Sequence, residues 1–146
     1  MKKFIVIFSL LLTTICFAEE EFKTYSGTVT DCYDADTCTV TFHIQQDVQV
    51  GFGVVVTVTT QIVDQKVRLY GIDAWEMRGE EKPKGIVARD WMREQVVNKV
   101  VRIDVLQKSG KDAKGKYGRW LVKLYRGITD LNAELVKLGH AEEATY

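Results

Sequence analysis

Proline is almost missing from this chain: Pro83 stands alone among 146 residues, and no internal repeat or low-complexity tract accompanies it. A proline-rich linker and a solenoid array are thereby excluded. Histidine is nearly as scarce. His43 and His140 stand far apart, without the spacing of imidazole metal ligands, and neither carries a catalytic assignment. Charge of neither sign is in excess, with 20 Lys and Arg against 20 Asp and Glu. A surface that binds nucleic acid through overall basicity is ruled out, so any such contact has to be local and salt-sensitive. The longest apolar run, Phe4 to Phe17, covers about 14 residues, short of the roughly 20 that span a bilayer as a helix.

That run suits a secretory signal instead. Lys2 and Lys3 precede it, and Ala18 follows it before Glu19, Glu20 and Glu21, which is the charged, apolar and small-residue order of a cleaved leader. The expectation is a signal peptide over 1–18 and a mature chain from Glu19, exported to the periplasm or secreted, without stable membrane association. Cys16 follows Thr14-Ile15 rather than a small residue, which argues against lipid attachment. The remaining 19–146 are enough for one domain and leave no room for a second. Two cysteines stay in it, Cys32 and Cys38, evenly placed about Ala35. An oxidising compartment permits a disulfide between them; two small core residues are the alternative, because Cys38 shares its parity with Val40, Phe42 and Ile44.

Alternation dominates the pattern. Cys38, Val40, Phe42, Ile44, Val48 and Val50 share one parity, as do Val54, Val56 and Val58, while Val63, Val67 and Leu69 take the other. Half-buried strands follow, with a bulge or turn near Thr59 to Ile62. Gly51-Phe52-Gly53 between the two runs reads as a hairpin turn, so the 45–66 connection is an extended β-ribbon. Val101, Ile103, Val105 and Trp120, Val122, Leu124 mark two later strands. Ala88, Trp91, Met92 and Val96 form the stripe of a helix after Pro83. Leu131, Leu135 and Leu138 form that of a second, with Thr129 or Asp130 as N-cap. Five strands with a helix before the fourth and another after the fifth are compatible with an OB barrel.

Four separated pieces carry chemistry: Asp34-Ala35-Asp36-Thr37, Arg68, Asp73-Ala74-Trp75-Glu76 and Tyr117-Gly118-Arg119. A phosphodiester repels nucleophiles, and its transition state gathers further charge on oxygen, so its hydrolysis calls for converging cations and a placed water. Carboxylates such as Asp36 and Asp73 suit a hard divalent cation. Arg68 and Arg119 suit phosphate, since guanidinium donates to two oxygens at once and keeps its charge.

The order D-x-D-T, V-R-L-Y-G-I-D-x-x-E, K-Y-G-R and L-N-x-x-L-V-x-x-G-x-A resembles the thermonuclease, or staphylococcal-nuclease-like, family. The resemblance implies a mainly β fold with α, a five-stranded OB barrel with about two helices. It also implies Ca²⁺-dependent hydrolysis of DNA and RNA, leaving 3′-phosphate ends, by a monomer. Position by position, Asp36, Asp73 and the Ala74 carbonyl would be metal ligands. Glu76 would position or deprotonate water, Arg68 and Arg119 would bind phosphate, and Lys116 and Tyr117 would contact the terminal phosphate. The chain departs from the pattern at Ala35, where a turn glycine is usual, at Trp75, where proline is usual, and in the long connection from Thr37 to Arg68.

Blander readings stand beside these. Asp34, Asp36 and Asp73 are also ordinary turn acids, and a strand arginine such as Arg68 often serves only a surface ion pair. Phe52 and Trp75 suit base stacking, but packing is the commoner use of an aromatic ring. A noncatalytic OB-fold module that binds nucleic acid without cutting it is the alternative function.

Overall fold

The computed structural model describes residues 20–145. The leader expected over 1–18 and the start at Glu19 lie outside the described residues.

Three long strands come first: β1 (Glu21–Asp34), β2 (Thr37–Val50) and β3 (Val54–Leu69). A short β4 (Ile72–Ala74) leads through one 3₁₀ turn into helix α1 (Lys82–Val96). Then follow β5 (Val100–Lys108), β6 (Lys111–Asp112), β7 (Trp120–Arg126), β8 (Thr129–Asp130), helix α2 (Leu131–Lys137) and β9 (Ala141–Glu143). The ladders run β1–β2–β3–β7–β5 and back to β1, which closes a five-stranded ring. All are antiparallel except β3–β7, where Val67, Arg68 and Leu69 lie parallel to Trp120, Leu121 and Val122. This is an OB-fold barrel, with α1 ahead of its fourth strand and α2 behind its fifth.

The alternating residues fill the barrel. Val29, Val40, Phe42, Val67, Leu69, Ile103, Val105, Val122 and Leu124 are buried together, and Ala88, Met92 and Val96 of α1 and Leu131 and Leu135 of α2 join the same cluster. Leu138 falls past the end of α2 and is exposed. Asp130 is the N-cap of α2, its Oδ1 accepting from Asn132 N at 2.9 Å and Ala133 N at 3.2 Å. Buried Asn132 ties three elements, donating through Nδ2 to the carbonyls of Tyr70 and Val122 and accepting from Leu124 N.

Cys32 and Cys38 form a disulfide while both are fully buried, so the two readings of them hold at once. Closing so short a loop contributes on the order of 2 kcal/mol in the chain-entropy account.

Between 45 and 59 the β2–β3 hairpin leaves the barrel as a two-stranded ribbon, paired down to Val50 and Val54. Its tip is Gly51-Phe52-Gly53, all at positive φ, with Val54 N donating to Gly51 O at 3.0 Å. Glycine on both sides of Phe52 is what makes that run of left-handed residues tolerable. The parity flip lies slightly beyond the expected Thr59 to Ile62. Val63 and Asp64 together oppose Thr41, and Asp64 has φ 53. A bulge needs one residue able to enter the left-handed region, and Asp enters it more readily than Ile62 or the threonines.

Candidate functional site

Asp36 sits in the turn between β1 and β2, just below the disulfide, and its side chain is 1% exposed. Ala35 beside it is fully buried and has no positive φ. The turn thus does not use the backbone freedom of glycine, which explains how alanine stands there. Both Asp36 oxygens are engaged. Oδ1 accepts from the Arg68 guanidinium and from Thr37 Oγ1 at 3.2 Å, and Oδ2 accepts from Ala74 N at 2.7 Å.

Arg68 reaches this carboxylate because it lies opposite Thr37 in the β2–β3 ladder, on the outer face between buried Val67 and Leu69. Its Nη2 donates to Asp73 Oδ1 at 2.6 Å, so one guanidinium spans two carboxylates. Asp73 itself is well exposed. It belongs to β4, which pairs with β9 through Asp73 opposite Glu142 and Ala74 opposite Ala141. Arg119 arrives from the other flank of β3, at the entry to β7, and donates through Nη1 to Thr37 Oγ1 at 2.8 Å. A continuous hydrogen-bonded set results: Asp73, Arg68, Asp36, Thr37 and Arg119.

Lys116 and Tyr117 border this set in the loop before β7. The Arg119 guanidinium lies 5.3 Å from the Tyr117 ring centroid, and Lys116 Nζ lies 5.6 Å from it. Glu76 stands outside the set. Its carboxylate pairs with Arg78 at 3.4 Å and is largely exposed, and its backbone N–H donates to Glu81 Oε2. Trp75 packs rather than projects: its Nε1 donates to Gly139 O at 2.7 Å, and Lys84 lies over its ring at 4.5 Å. Phe52 is fully exposed at the ribbon tip. His43 lies 3.3 Å from Thr28 Oγ1, and His140 packs its ring against Trp91.

Burial, and after it the Asp34 carboxylate alongside, push Asp36 up to about 7; Arg68 and the Ala74 N–H act in the opposite sense. Asp34 Oδ1 is itself buried without a donor among the described residues. Two adjoining carboxylates, one of them with an orphaned oxygen, are a costly arrangement unless a cation compensates them. The donors are all oxygen, as Ca²⁺ prefers. Among the described residues no group of three or more His, Cys, Asp or Glu is set for a metal, so backbone oxygens and water would have to supply the rest of a coordination shell. On these grounds the acids gathered here, Asp36 and Asp73 with Asp34 beside them, have the chemistry that a hard divalent cation takes.

Sequence reasoning gave no role to Thr37, which joins Asp36 to Arg119, nor to Lys66 and Tyr33. These last two line one cleft of about 480 Å³ with Thr37, Thr39, Tyr117 and Arg119. Alternation held the signal for Lys66, two residues from Arg68 and so on its face; nothing in the sequence marked Tyr33.

A closed OB barrel thus gathers paired acids and two arginines around the turn between its first two strands. Residues 66–146, more than half of the chain, match the family model described as staphylococcal nuclease homologue. The chain belongs to that family of nucleases. No curated protein matches it individually.

Proposed function

We propose that this protein is an exported, Ca²⁺-dependent nuclease that hydrolyses phosphodiester bonds of DNA and RNA with little sequence preference. The observation that carries the reading is the convergence of Arg68 and Arg119, from the adjoining strands β3 and β7, on the Asp36–Thr37 turn. A structural ion pair accounts for Arg68 with Asp36, but not for Arg119, whose donation goes to a neutral hydroxyl. Two guanidinium groups at one turn are suited to a phosphate, where they would hold its oxygens and stabilise the charge added in the transition state. Asp36 and Asp73, with Asp34 and the Ala74 carbonyl, would hold the cation. Bound there, Ca²⁺ supplies polarisation of the phosphate and a place for the attacking water. Lys116 and Tyr117 extend the contact along the substrate.

Glu76 is the proposed base or water-positioning group, and its pairing with Arg78 is the one observation that favours the alternative, a binding module that does not cut. Release of so exposed a pair costs little, because a surface ion pair contributes only about 0–1 kcal/mol. The two readings separate in one assay. The protein is incubated with labelled single-stranded DNA and with RNA, in Ca²⁺ or in excess chelator. Cleavage that needs Ca²⁺ supports the enzyme, whereas binding without cleavage in Ca²⁺ establishes the module. Export is tested by the intact mass of protein recovered from outside the cytoplasm: a chain starting at Glu19 is expected, and retention of 1–18 overturns it.

A further inference from the structure

We propose that Tyr33 and Lys66 form an adjoining nucleotide subsite that makes an extended single strand, rather than duplex, the preferred ligand of this cleft. The inference rests on the reading of the cleft as a nucleic-acid site. Cys32 pairs with Cys38 and Asp34 with Thr37, so Tyr33 is an extra residue between two fixed pairs. A bulge of this kind turns a side chain out of its normal alternation. The disulfide on one side and the Asp36 turn on the other hold it there. The ring is 72% exposed. Large aromatic rings usually gain most by burial, and this one instead stands at the edge of a polar cleft. Tyr117 faces the same cleft at 73% exposed, already stacked with Arg119.

Lys66 completes the arrangement. It lies opposite Thr39 as Arg68 lies opposite Thr37, so the two cations share one face one strand repeat apart, roughly 6.6 Å along β3. Among the described residues Lys66 makes no ion pair. A phosphate held by Arg68 and Arg119 would thus have its neighbour within reach of Lys66, and the base between them over Tyr33. A stacked base must have left its duplex partner, which is why the subsite selects single strands.

Binding in chelator tests this without cleavage. Fluorescence anisotropy is measured with a labelled thymidine oligonucleotide of about ten nucleotides, within the range that one OB fold covers, and with a duplex of equal length. The single strand should bind more tightly than the duplex. Tyr33→Ala should weaken the single-strand complex about tenfold, the scale of one lost stacking contact, while Tyr33→Phe should bind as the parent does. Lys66→Gln should weaken it several-fold and reduce the salt slope by about one. Parent-like binding by Tyr33→Ala and Lys66→Gln overturns the subsite, as does an equal loss on single strand and duplex. If the parent cuts nothing in Ca²⁺ yet these binding differences appear, the enzyme reading fails and the subsite stands.

Discussion

Thr37 is where the two arginines meet: its hydroxyl accepts from Arg119 and donates to the carboxylate that Arg68 also holds. The two arginines are nonetheless not equivalent. Arg68 has a structural part besides its proposed one, since it joins β3 to the turn and to β4. Among the described residues the Arg119 guanidinium meets a hydroxyl and an exposed ring. Arg119→Ala is therefore expected to retain its melting temperature and Ca²⁺ affinity while single-turnover cleavage falls on the order of 10² to 10³-fold, the scale for one preorganised donor. Cleavage within a few-fold of the parent would show that the role assigned to Arg119 is wrong. Asp36→Ala should act differently. Its carboxylate is the most buried of the acids here, so Ca²⁺ affinity measured by calorimetry should drop, with part of the activity returning at higher Ca²⁺. An unchanged Ca²⁺ affinity would remove Asp36 from the metal site.

Elements rather than residues fix the Asp73–Glu76 segment. It leaves β4 across the first turn of α1, where Gly85 faces it: a Cβ there would stand 2.5 Å from Glu76 O and 2.8 Å from Trp75 O. Alanine in place of a helix glycine usually stabilises by about 1 kcal/mol. At this position the sign should reverse, because backbone must give way, and Gly85→Ala should destabilise by roughly 1–3 kcal/mol in a denaturant melt. A more stable variant would mean that the 75–76 backbone is free to shift. Trp75 secures the same segment from the other side through Gly139, and so takes over by a tether what a proline would do by stiffness.

Elements also mark what was legible in the sequence. β2, β3, β5, β7 and both helices followed from period, because apolar residues alternate or recur every three to four residues there. The polar β1 carried no such signal, and the alternating valines of the ribbon proved exposed on it, not half-buried. The barrel's closure did not follow, since period carries no information about which strands are neighbours. Four of the site residues, Asp36, Arg68, Asp73 and Arg119, could be placed in one set because their order was distinctive. Thr37 and Tyr33 could not. Their importance comes from a turn and a bulge, where one residue's direction depends on pairings on both sides.

At the scale of the whole molecule the barrel and the ribbon are separate structures sharing two strands. Beyond Gln45 and Thr59 the ribbon contributes nothing to the buried cluster, and Val48, Val50, Val54, Val56, Val58 and Phe52 remain exposed on it. Replacing 46–58 with an Asn-Gly turn between Gln45 and Thr59, which are Cα partners, should leave thermal unfolding within about 1 kcal/mol of the parent. A loss of several kcal/mol would show that the ribbon supports the barrel.

The parallel ladder between β3 and β7 has a further consequence, for the time course of folding. Val67 meets Trp120 across 52 intervening residues, whereas β1, β2 and β3 join through adjacent hairpins. Local hairpins form early and distant pairings late, because loop closure has to precede the contacts that reward it. Asp36 and Arg68 thus come together in the early part, but Arg119 arrives only with a later, long-range ladder. A chain stalled before closure would hold the acids and one arginine yet lack the second. On dilution from denaturant, recovery of cleavage should follow the slowest tryptophan-fluorescence phase, which Trp120 reports, and should lag behind the gain of β-structure seen by far-ultraviolet circular dichroism.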